Sequence, residues 1–177
     1  MALKVGSVHP VVTTVPEEVT VREAVRADLL DVFRIEQRVF PQPWPFEAFE
    51  QFLGQPGFMI AEGAAPAALD HDGSRSVDEV AGYVVADLTP NFGRDIGHVK
   101  DLAVHPDRQG AGVGTALLRH ALATLEAEGA TRVKLEVRES NDAAIRLYRR
   151  QGFEHRRTVP RYYANGENAL VMIRDRG

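Results

Sequence analysis

The sequence lacks cysteine, and this absence excludes several kinds of protein. With no Cys in 177 residues, the chain has no disulfide scaffold, no thiolate nucleophile and no Cys-ligated metal site. Long apolar runs are also missing, since no stretch approaches the ~20 residues of a membrane-spanning helix. The N-terminus has no apolar segment of signal-peptide length. We therefore expect a cytoplasmic protein with no bound metal and no membrane partner.

The sequence also has no excess of basic residues. The 21 Lys and Arg are opposed by 25 Asp and Glu, so the net charge is −4, which argues against a general nucleic-acid-binding surface. Hydrophobic residues make up 44% of the chain, enough for the core of one domain. We predict an N-terminal extension at residues 1–17, disordered in part, and a single domain at 18–177 that is a monomer or a homodimer.

Hydrophobic periodicity and turn signals predict a domain of the α+β class. Residues 63–78, rich in Gly, Ala, Asp and Ser, predict a mobile hairpin loop, and Gly82 suggests a bulge. Because strands and helices do not alternate regularly, the order favours a mixed sheet over a doubly wound parallel one. The predicted strands are 19–24, 57–62, 79–88, 97–104, 131–137, 153–159 and 169–173, and the predicted helices are 28–40, 45–53, 110–128 and 141–151.

Residues 99–115, V-K-D-L-A-V-H-P-D-R-Q-G-A-G-V-G-T, form the most informative stretch. They predict a strand, a Gly-rich turn and a helix start, which together make an anion site because N–H groups at a helix N-terminus lack partners. Gly110, Gly112 and Gly114 would each cost a helix ~1 kcal/mol relative to Ala, more than a plain tight turn requires. The spacing is not G-x-G-x-x-G, and no strand ending in an acid follows at the usual distance, so a dinucleotide-binding site is disfavoured.

Several motifs in this order resemble the GCN5-related N-acetyltransferase (GNAT) superfamily, and within it the RimI-type acetyltransferases of ribosomal-protein N-termini. The segment Gln109-Gly110-Ala111-Gly112-Val113-Gly114 matches the superfamily's Arg/Gln-x-x-Gly-x-Gly/Ala motif. One such motif is a weak signal, but the ordered set is strong and covers about residues 19–173. The further matches are IEQR at 35–38, PW at 43–44, LEVRESN at 135–141, AIRLY at 144–148, GF at 152–153 and RYY at 161–163.

The resemblance implies a three-layer GNAT fold, a mixed and curved sheet of about seven strands with helices on both faces. Its fourth and fifth strands would splay apart, with acetyl-CoA in the gap and the CoA pyrophosphate at the Gly-rich turn. Asn141 is either only a helix N-cap or a cofactor contact. The arginine pairs at 149–150 and 156–157 are either solvated or a site for the CoA 3′-phosphate or for an acidic substrate surface. The implied cofactor-binding residues are Leu102, Ala103, Val104, Gln109, Gly110, Ala111, Gly112, Val113, Gly114, Thr115 and Asn141.

The resemblance also assigns two catalytic residues, Glu136 as general base through a water and Tyr148 as general acid towards the CoA thiolate. By alternation alone Glu136 is a solvent-facing strand carboxylate, and by helical spacing Tyr148 is a core aromatic. A partly desolvated Glu would have a raised pKa and would suit the role of base. Direct attack on the thioester, with no acyl-enzyme, is consistent with a chain that has no Cys.

The acceptor side is implied to consist of Glu36, Trp44, Phe46, Tyr162 and Tyr163. Glu36 lies on the apolar side of its predicted helix, so we expect it either to pair with Arg38 or another base or to steer an amine. Trp44 is interpreted more readily as a core residue. His98 and His105 flank the fourth strand without metal-ligand spacing, and surface or capping roles are expected for them.

We predict an acetyl-CoA-dependent N-acetyltransferase that acts by direct attack on the α-amino group of a protein or peptide N-terminus. One alternative is an enzyme of the same fold that acetylates a small-molecule amine or a lysine side chain. The other is a catalytically silent acyl-CoA-binding regulatory module, against which the presence of both Glu136 and Tyr148 argues. The sequence does not identify the acceptor or a partner subunit.

Overall fold

The computed structural model describes residues 19–63, 80–90 and 95–176. The predicted extension at 1–17 and nearly all of the predicted loop at 63–78 lie outside these residues. Each predicted element is present within the described part, with ends shifted by a few residues. The strands are β1 (Thr20–Glu23), β2 (Phe58–Glu62), β3 (Val80–Thr89), β4 (Ile96–Val104), β5 (Arg132–Arg138), β6 (Glu154–Val159) and β7 (Ala169–Asp175), and the helices are α1 (Leu29–Val39), α2 (Phe46–Glu50), α3 (Val113–Ala127) and α4 (Asp142–Arg150).

The seven strands form one mixed sheet in the order β1-β2-β3-β4-β5-β7-β6. All neighbouring pairs are antiparallel except β4 and β5, which are parallel and joined through α3, as a parallel pair requires a crossover connection. Their pairing extends only from Ile96 opposite Arg132 to Val99 opposite Leu135. Beyond this point the two strands are no longer paired. The predicted mixed sheet with a gap between its fourth and fifth strands is confirmed.

Two apolar clusters, one on each face of the sheet, hold the helices in place. Helix α1 contributes Leu29, Val32 and Ile35, which recur every three residues and therefore share one face. On the other face, α3 contributes a row of buried leucines and α4 contributes Ile145 and Tyr148. Burial of both faces gives the three-layer arrangement that the resemblance implied.

A β-bulge in β4 changes which face of the sheet its side chains occupy. Val85 of β3 lies opposite Asp101 and Ala86 lies opposite Val99, so Lys100 is an extra residue. Because a bulge breaks the alternation of side chains, Val99 packs in the α3 cluster whereas Ala103 packs in the α1 cluster. Asp101, two residues from Ala103, shares the α1 face.

The bulge suggested at Gly82 is present in β3, but its extra residue is the preceding one. Ala61 pairs with Gly82 and Glu62 with Val80, which leaves Ala81 as the extra residue of β3. A Cβ atom at Gly82 would lie 2.7 Å from the carbonyl oxygen of Ala103, so glycine permits the close approach of β4 at this point.

The predicted start of α3 at residue 110 is wrong, because the helix begins at Val113. Gly110 and Gly112 have φ angles of 82° and 87°, in the left-handed region that L side chains rarely adopt. These two glycines therefore form the turn before the helix and do not belong to its first turn. Gly114 is helical, and its missing side chain lets α3 approach Leu147 of α4, since a Cβ there would lie 3.3 Å from Leu147 Cδ2.

Candidate active site

A cavity of about 510 Å³ lies at the N-terminus of α3, and we call it the helix-terminus cavity. It contains every predicted cofactor position except Ala111, which is exposed, and Val113, which is buried in the α3 cluster. The predicted residues that line it are Leu102, Ala103, Val104, Gln109, Gly110, Gly112, Gly114, Thr115 and Asn141.

The chemistry of this cavity suits an anion. Gly112 is the N-cap of α3 and offers no side chain to the first N–H groups of the helix, and the bond from Ala116 N to Gly112 O closes the first turn. The positive end of the helix dipole faces the same region. Arg146 and Arg150, one turn apart on α4, also line the cavity. The sequence interpretation missed Arg146, although its spacing from Arg150 placed both on one helix face. These features fit the phosphate groups of CoA.

A second cavity of about 350 Å³ adjoins the first, and we call it the carboxylate cavity. The two share wall residues from α1, β4 and α4, so they form one continuous site. Three carboxyl side chains, two tyrosines and two cations line it together with Trp44: Glu36, Asp101, Glu136, Tyr148, Tyr163, Lys100 and Arg138.

Two residues predicted on the acceptor side do not line this cavity. Phe46 packs edge-on against Phe33, with ring centroids 5.7 Å apart. Tyr162 is 52% exposed and contacts the ring of Tyr163 edge-on. Trp44 does line the cavity, and its ring also packs against Phe52, which agrees with the expected core role.

Glu136 forms a pair with His98 across the parallel strands. Its Oε2 lies 2.6 Å from His98 Nε2, and Lys134 Nζ lies 3.7 Å from Oε1. Burial raises the pKa of Glu136, but the hydrogen bond and charge of His98, with the charge of Lys134, outweigh it, so the net pKa is lowered. The expectation of a raised pKa is wrong.

His98 does not have the surface or capping role that the sequence predicted, because it is half-buried against Glu136. Nothing in the local sequence marks this contact, since it depends on the register that places His98 beside Lys134 of β5. His105 does have the predicted capping role, and its Nδ1 accepts a hydrogen bond from Asp107 N at 3.2 Å.

Tyr148 combines a packed ring with a hydroxyl at the cavity. Its ring contacts Phe153 edge-on at 5.9 Å, which confirms the core packing predicted from helical spacing. Burial, with the nearby charges of Asp101 and Tyr163, raises the pKa of Tyr148 well above that of a free phenol. The phenol therefore stays protonated at neutral pH. Asn141 caps α4, its Oδ1 accepting from Ala144 N at 3.1 Å, and it also lines both cavities.

Glu36 is 1% exposed and lies in a network of hydrogen bonds at the floor of the carboxylate cavity. Trp44 N donates to its Oε1 at 2.6 Å, and the Tyr83 hydroxyl contacts its Oε2. The same hydroxyl lies 2.9 Å from Asp101 Oδ2. The expected pairing with Arg38 is wrong, since the Arg38 guanidinium contacts His105 instead.

The segment between β6 and β7 is attached to the end of β5 by Arg138. The Arg138 guanidinium pairs with Glu167 at 2.9 Å and lies 3.9 Å from the centre of the Tyr163 ring. Ser140 N also donates to Glu167 at 3.0 Å. Hydrogen bonds from Ser140, and then from Arg138, lower the pKa of Glu167 to about 2. These contacts position Tyr163 at the cavity wall.

Within residues 19–63, 80–90 and 95–176, no cluster of three His, Asp or Glu side chains is arranged to bind a metal ion. No helix in this part of the chain has the length and apolar character needed to cross a bilayer.

The fold and the two joined cavities suit a transferase, with an anion-binding cavity at the start of α3 beside a cavity lined by carboxyl groups. The sequence model of the Acetyltransferase (GNAT) family matches residues 29–153, and the chain belongs to this family. It is an N-acetyltransferase with acetyl-CoA as its donor.

Curated relatives cover almost the whole chain. An N-alpha-acetyltransferase of Sulfurisphaera tokodaii is 31% identical over 88% of this chain and 92% of its own length. The N-alpha-acetyltransferase RimI of Mycobacterium tuberculosis is 36% identical over 91% of this chain and 95% of its own length.

Solved structures give the same picture. The ribosomal-protein-S18-alanine N-acetyltransferase of Escherichia coli superposes with a TM-score of 0.68 at 28% identity, covering 89% of this chain and 94% of that one. A chain of the NatC complex bound to Gag peptide and CoA superposes with a TM-score of 0.78 at 22% identity, covering 90% and 99%, and supports the fold. The relatives and neighbours are therefore largely Nα-acetyltransferases.

Proposed function

We propose that this chain transfers the acetyl group of acetyl-CoA to the α-amino group of a protein or peptide N-terminus, by direct attack. The observation that carries the proposal is the carboxylate cavity, which adjoins the helix-terminus cavity and contains the His98–Glu136 pair and Tyr148. The names of the relatives support the same acceptor. Because one of them acts on a ribosomal protein by name, we propose that this enzyme works in the cytoplasm.

In this proposal the helix-terminus cavity holds the CoA end of the donor. N–H groups at the start of α3 and the guanidinium groups of Arg146 and Arg150 bind phosphate oxygens. The free edge of β4 at Leu102, Ala103 and Val104, which β5 no longer covers, lies along the pantetheine arm. Acetyl-CoA supplies an activated thioester, and binding beside it makes the attack effectively unimolecular.

Side chains of the protein accept the proton of the acceptor amine and donate a proton to the leaving thiolate. The His98–Glu136 pair takes a proton from the α-ammonium of the acceptor, directly or through a water, which leaves a neutral amine. Tyr148 donates its phenolic proton to the leaving thiolate. Glu36, Trp44 and Tyr163 line the pocket for the acceptor's first residues, and the exposed Tyr162 and the more distant Phe46 are proposed to act through Tyr163 and α1.

A peptide assay tests the proposal. Matched peptides with an internal lysine, one with a free and one with a blocked N-terminus, are incubated with acetyl-CoA, and thiol release and peptide mass are measured. We expect acetylation of the free N-terminus only. Acetylation of lysine in both peptides would instead favour a lysine acetyltransferase, and acetyl-CoA binding without turnover on any amine would favour a binding module.

A further inference from the structure

The carboxyl groups of Glu36 and Asp101 meet at one hydroxyl group, and the hydrogen bonds there require an additional proton. The Tyr83 oxygen lies within hydrogen-bond distance of both Glu36 Oε2 and Asp101 Oδ2. A hydroxyl has a single proton to donate, and an ionised carboxylate only accepts. Tyr83 can therefore satisfy both contacts only if one carboxyl is protonated and donates to it. At least one of the two carboxyl groups is therefore protonated in the free enzyme, and the simplest arrangement that satisfies both contacts leaves one proton and one negative charge on the pair.

Within the described part of the chain, this pair has no neutralising cation. Among the side chains that the structure describes, no Lys, Arg or His forms an ion pair with Glu36 or Asp101. Glu36 has the Trp44 amide and Tyr83 as partners, and Asp101 reaches the same place because the bulge at Lys100 turns it to the α1 face. A buried negative charge without a cation costs free energy in the free enzyme, and a cation bound at the pair would offset that cost. Both carboxyl groups line the carboxylate cavity.

The other charged groups of the cavity are already engaged. Lys100 pairs with Asp87, Glu136 pairs with His98, and Arg138 pairs with Glu167. Tyr148 of α4 and Tyr163 of the β6–β7 segment complete the titratable groups of the wall, and their pKa values are raised, so they remain neutral. A cation that enters the cavity therefore finds its uncompensated negative charge at Glu36 and Asp101.

We propose that the Glu36–Asp101 pair binds the α-ammonium group of the acceptor peptide and releases its shared proton when it does so. The inference rests on the proposed function and adds Asp101 as a residue that binds the acceptor. The ammonium replaces the proton, so both carboxyl groups are ionised in the complex. The amine then reaches the His98–Glu136 pair, which removes its proton.

The direction of the pH dependence follows from this exchange. Burial raises the pKa of Asp101 and of Glu36, and the charge of Glu36 raises that of Asp101 further, so the pair retains its proton above the usual carboxyl range. Bound ammonium favours the doubly ionised form. Peptide affinity should therefore rise with pH until the pair ionises by itself, and should level off above that point.

Calorimetry on the whole chain measures the proton directly. The enzyme saturated with CoA is titrated with a free-amine peptide in two buffers of different ionisation enthalpy, at a pH of about 6, where an α-amine is fully protonated. We expect the release of about one proton for each peptide bound. The same peptide with an acetylated N-terminus, which carries no ammonium, should release none.

Two variants locate the source of the proton. Asp101→Asn keeps hydrogen-bonding groups beside Tyr83 but has no titratable proton, and it should abolish proton release and flatten the pH dependence of the peptide KM. Its KM should exceed that of the wild type by about ten-fold near pH 8, where the loss of one charge-assisted bond is fully expressed, and by less as the pH falls. Glu136→Gln should still release the proton on binding.

Three results of these titrations would overturn the inference. Zero protons released by the wild-type enzyme, or release that persists in Asp101→Asn, overturns the inference, as does release that disappears in Glu136→Gln. Asp175→Asn, an exposed carboxyl paired with Arg132 at the far end of the sheet, is the matched control and should behave as wild type. If Asp101→Asn fails to fold, the numbers of protons released by the wild-type enzyme and by Glu136→Gln test the inference. A chain that acetylates no N-terminus refutes the proposed function, whereas acetylation without proton release refutes only this inference.

Discussion

At the residue scale, the proposed chemistry depends on groups whose protonation is set by neighbours. Tyr148 and Glu136 line the same cavity in opposite ionisation states. Burial keeps the phenol of Tyr148 protonated, while His98 keeps Glu136 ionised to lower pH than a free carboxyl. An enzyme needs both states at once, an acid for the leaving group and a base for the amine.

Replacing Tyr148 by Phe tests the acid. The ring contact with Phe153 is retained, so we expect unchanged thermal stability and an unchanged KM for acetyl-CoA. The kcat should fall by about 10²- to 10⁴-fold, the usual contribution of a positioned proton donor. Steady-state kinetics measure this, with Tyr162→Phe, at an exposed tyrosine outside the cavity lining, as the control for loss of a hydroxyl. A kcat equal to that of the wild type would remove Tyr148 from the mechanism.

The His98–Glu136 pair is tested together. Because the pKa of Glu136 is lowered, its ionised form persists as the pH falls, and kcat at saturating peptide should decline only as the pH approaches that lowered value. Glu136→Gln and His98→Gln should each lower kcat/KM, by about 10²-fold or more. If the two act as one base, the double variant should be little worse than either single one. Fully multiplicative losses would show that they act separately.

At the element scale, the turn before α3 depends on left-handed backbone at two glycines. Gly112→Ala forces an L side chain into φ 87°, at a cost of about 1–2 kcal/mol. We expect a lower melting temperature and weaker acetyl-CoA binding, measured by thermal unfolding and by ligand titration. Ala111→Gly, at the exposed position between the two glycines, is the control and should retain affinity. Undiminished affinity in Gly112→Ala would mean that the turn geometry does not matter for the donor.

The segment between β6 and β7 is the second element with a testable role. Glu167→Gln removes the charge that holds Arg138 beneath Tyr163, so we expect a several-fold higher KM for the peptide and an unchanged KM for acetyl-CoA. Arg138→Met should have the same effect, and the double variant should add little. An equal rise in both KM values would indicate a general loss of structure.

The ion pair between Arg138 and Glu167 should make the attachment of this segment depend on pH. The pKa of Glu167 is lowered to about 2 from an ordinary value of 4.5. A carboxyl with a lowered pKa in the folded state stabilises that state above its unfolded pKa, and loses this contribution as the pH falls through the folded value. The segment should therefore loosen between about pH 4.5 and pH 2, which hydrogen exchange at residues 160–168 would detect.

At the scale of the whole molecule, the sequence predicts the order of elements well because each carries its own periodicity and turn residues. The resemblance correctly implied the gap between β4 and β5, which no local pattern encodes. The predicted start of α3 is wrong because the sequence at Gly110 and Gly112 is compatible with a helix, whereas their backbone is left-handed.

The missed site residues share one physical cause. His98 meets Glu136 only through the parallel register of β4 and β5, and Asp101 meets Glu36 only because one extra residue in β4 reverses the alternation. Strand register is a property of the assembled sheet, and the bulge at Lys100, unlike the one beside Gly82, has no glycine that marks it. The partner of Glu36 was wrong for the same reason, since Tyr83 lies on a different strand.

The predicted domain boundary is a proposal for the whole chain. The family match begins at residue 29, and the described core begins at β1. We expect that a chain starting at residue 18 retains the melting temperature and the acetyl-CoA affinity of the full one. A large drop in either would show that residues 1–17 contribute to the fold or the donor site.

The parting of β4 and β5 gives the sheet more edges than its two ends supply. The outer edge strands, β1 and β6, carry charged side chains such as Arg22, Arg156 and Arg157, which discourage pairing with another chain. The inner edge of β4 is different, since beyond Val99 it is no longer paired with β5 along an apolar segment, Leu102 to Val104. Helices on both faces leave this edge open only to a narrow, extended molecule. An unpaired strand edge promotes aggregation in other sheets. We propose that here an extended ligand covers the unpaired edge of β4.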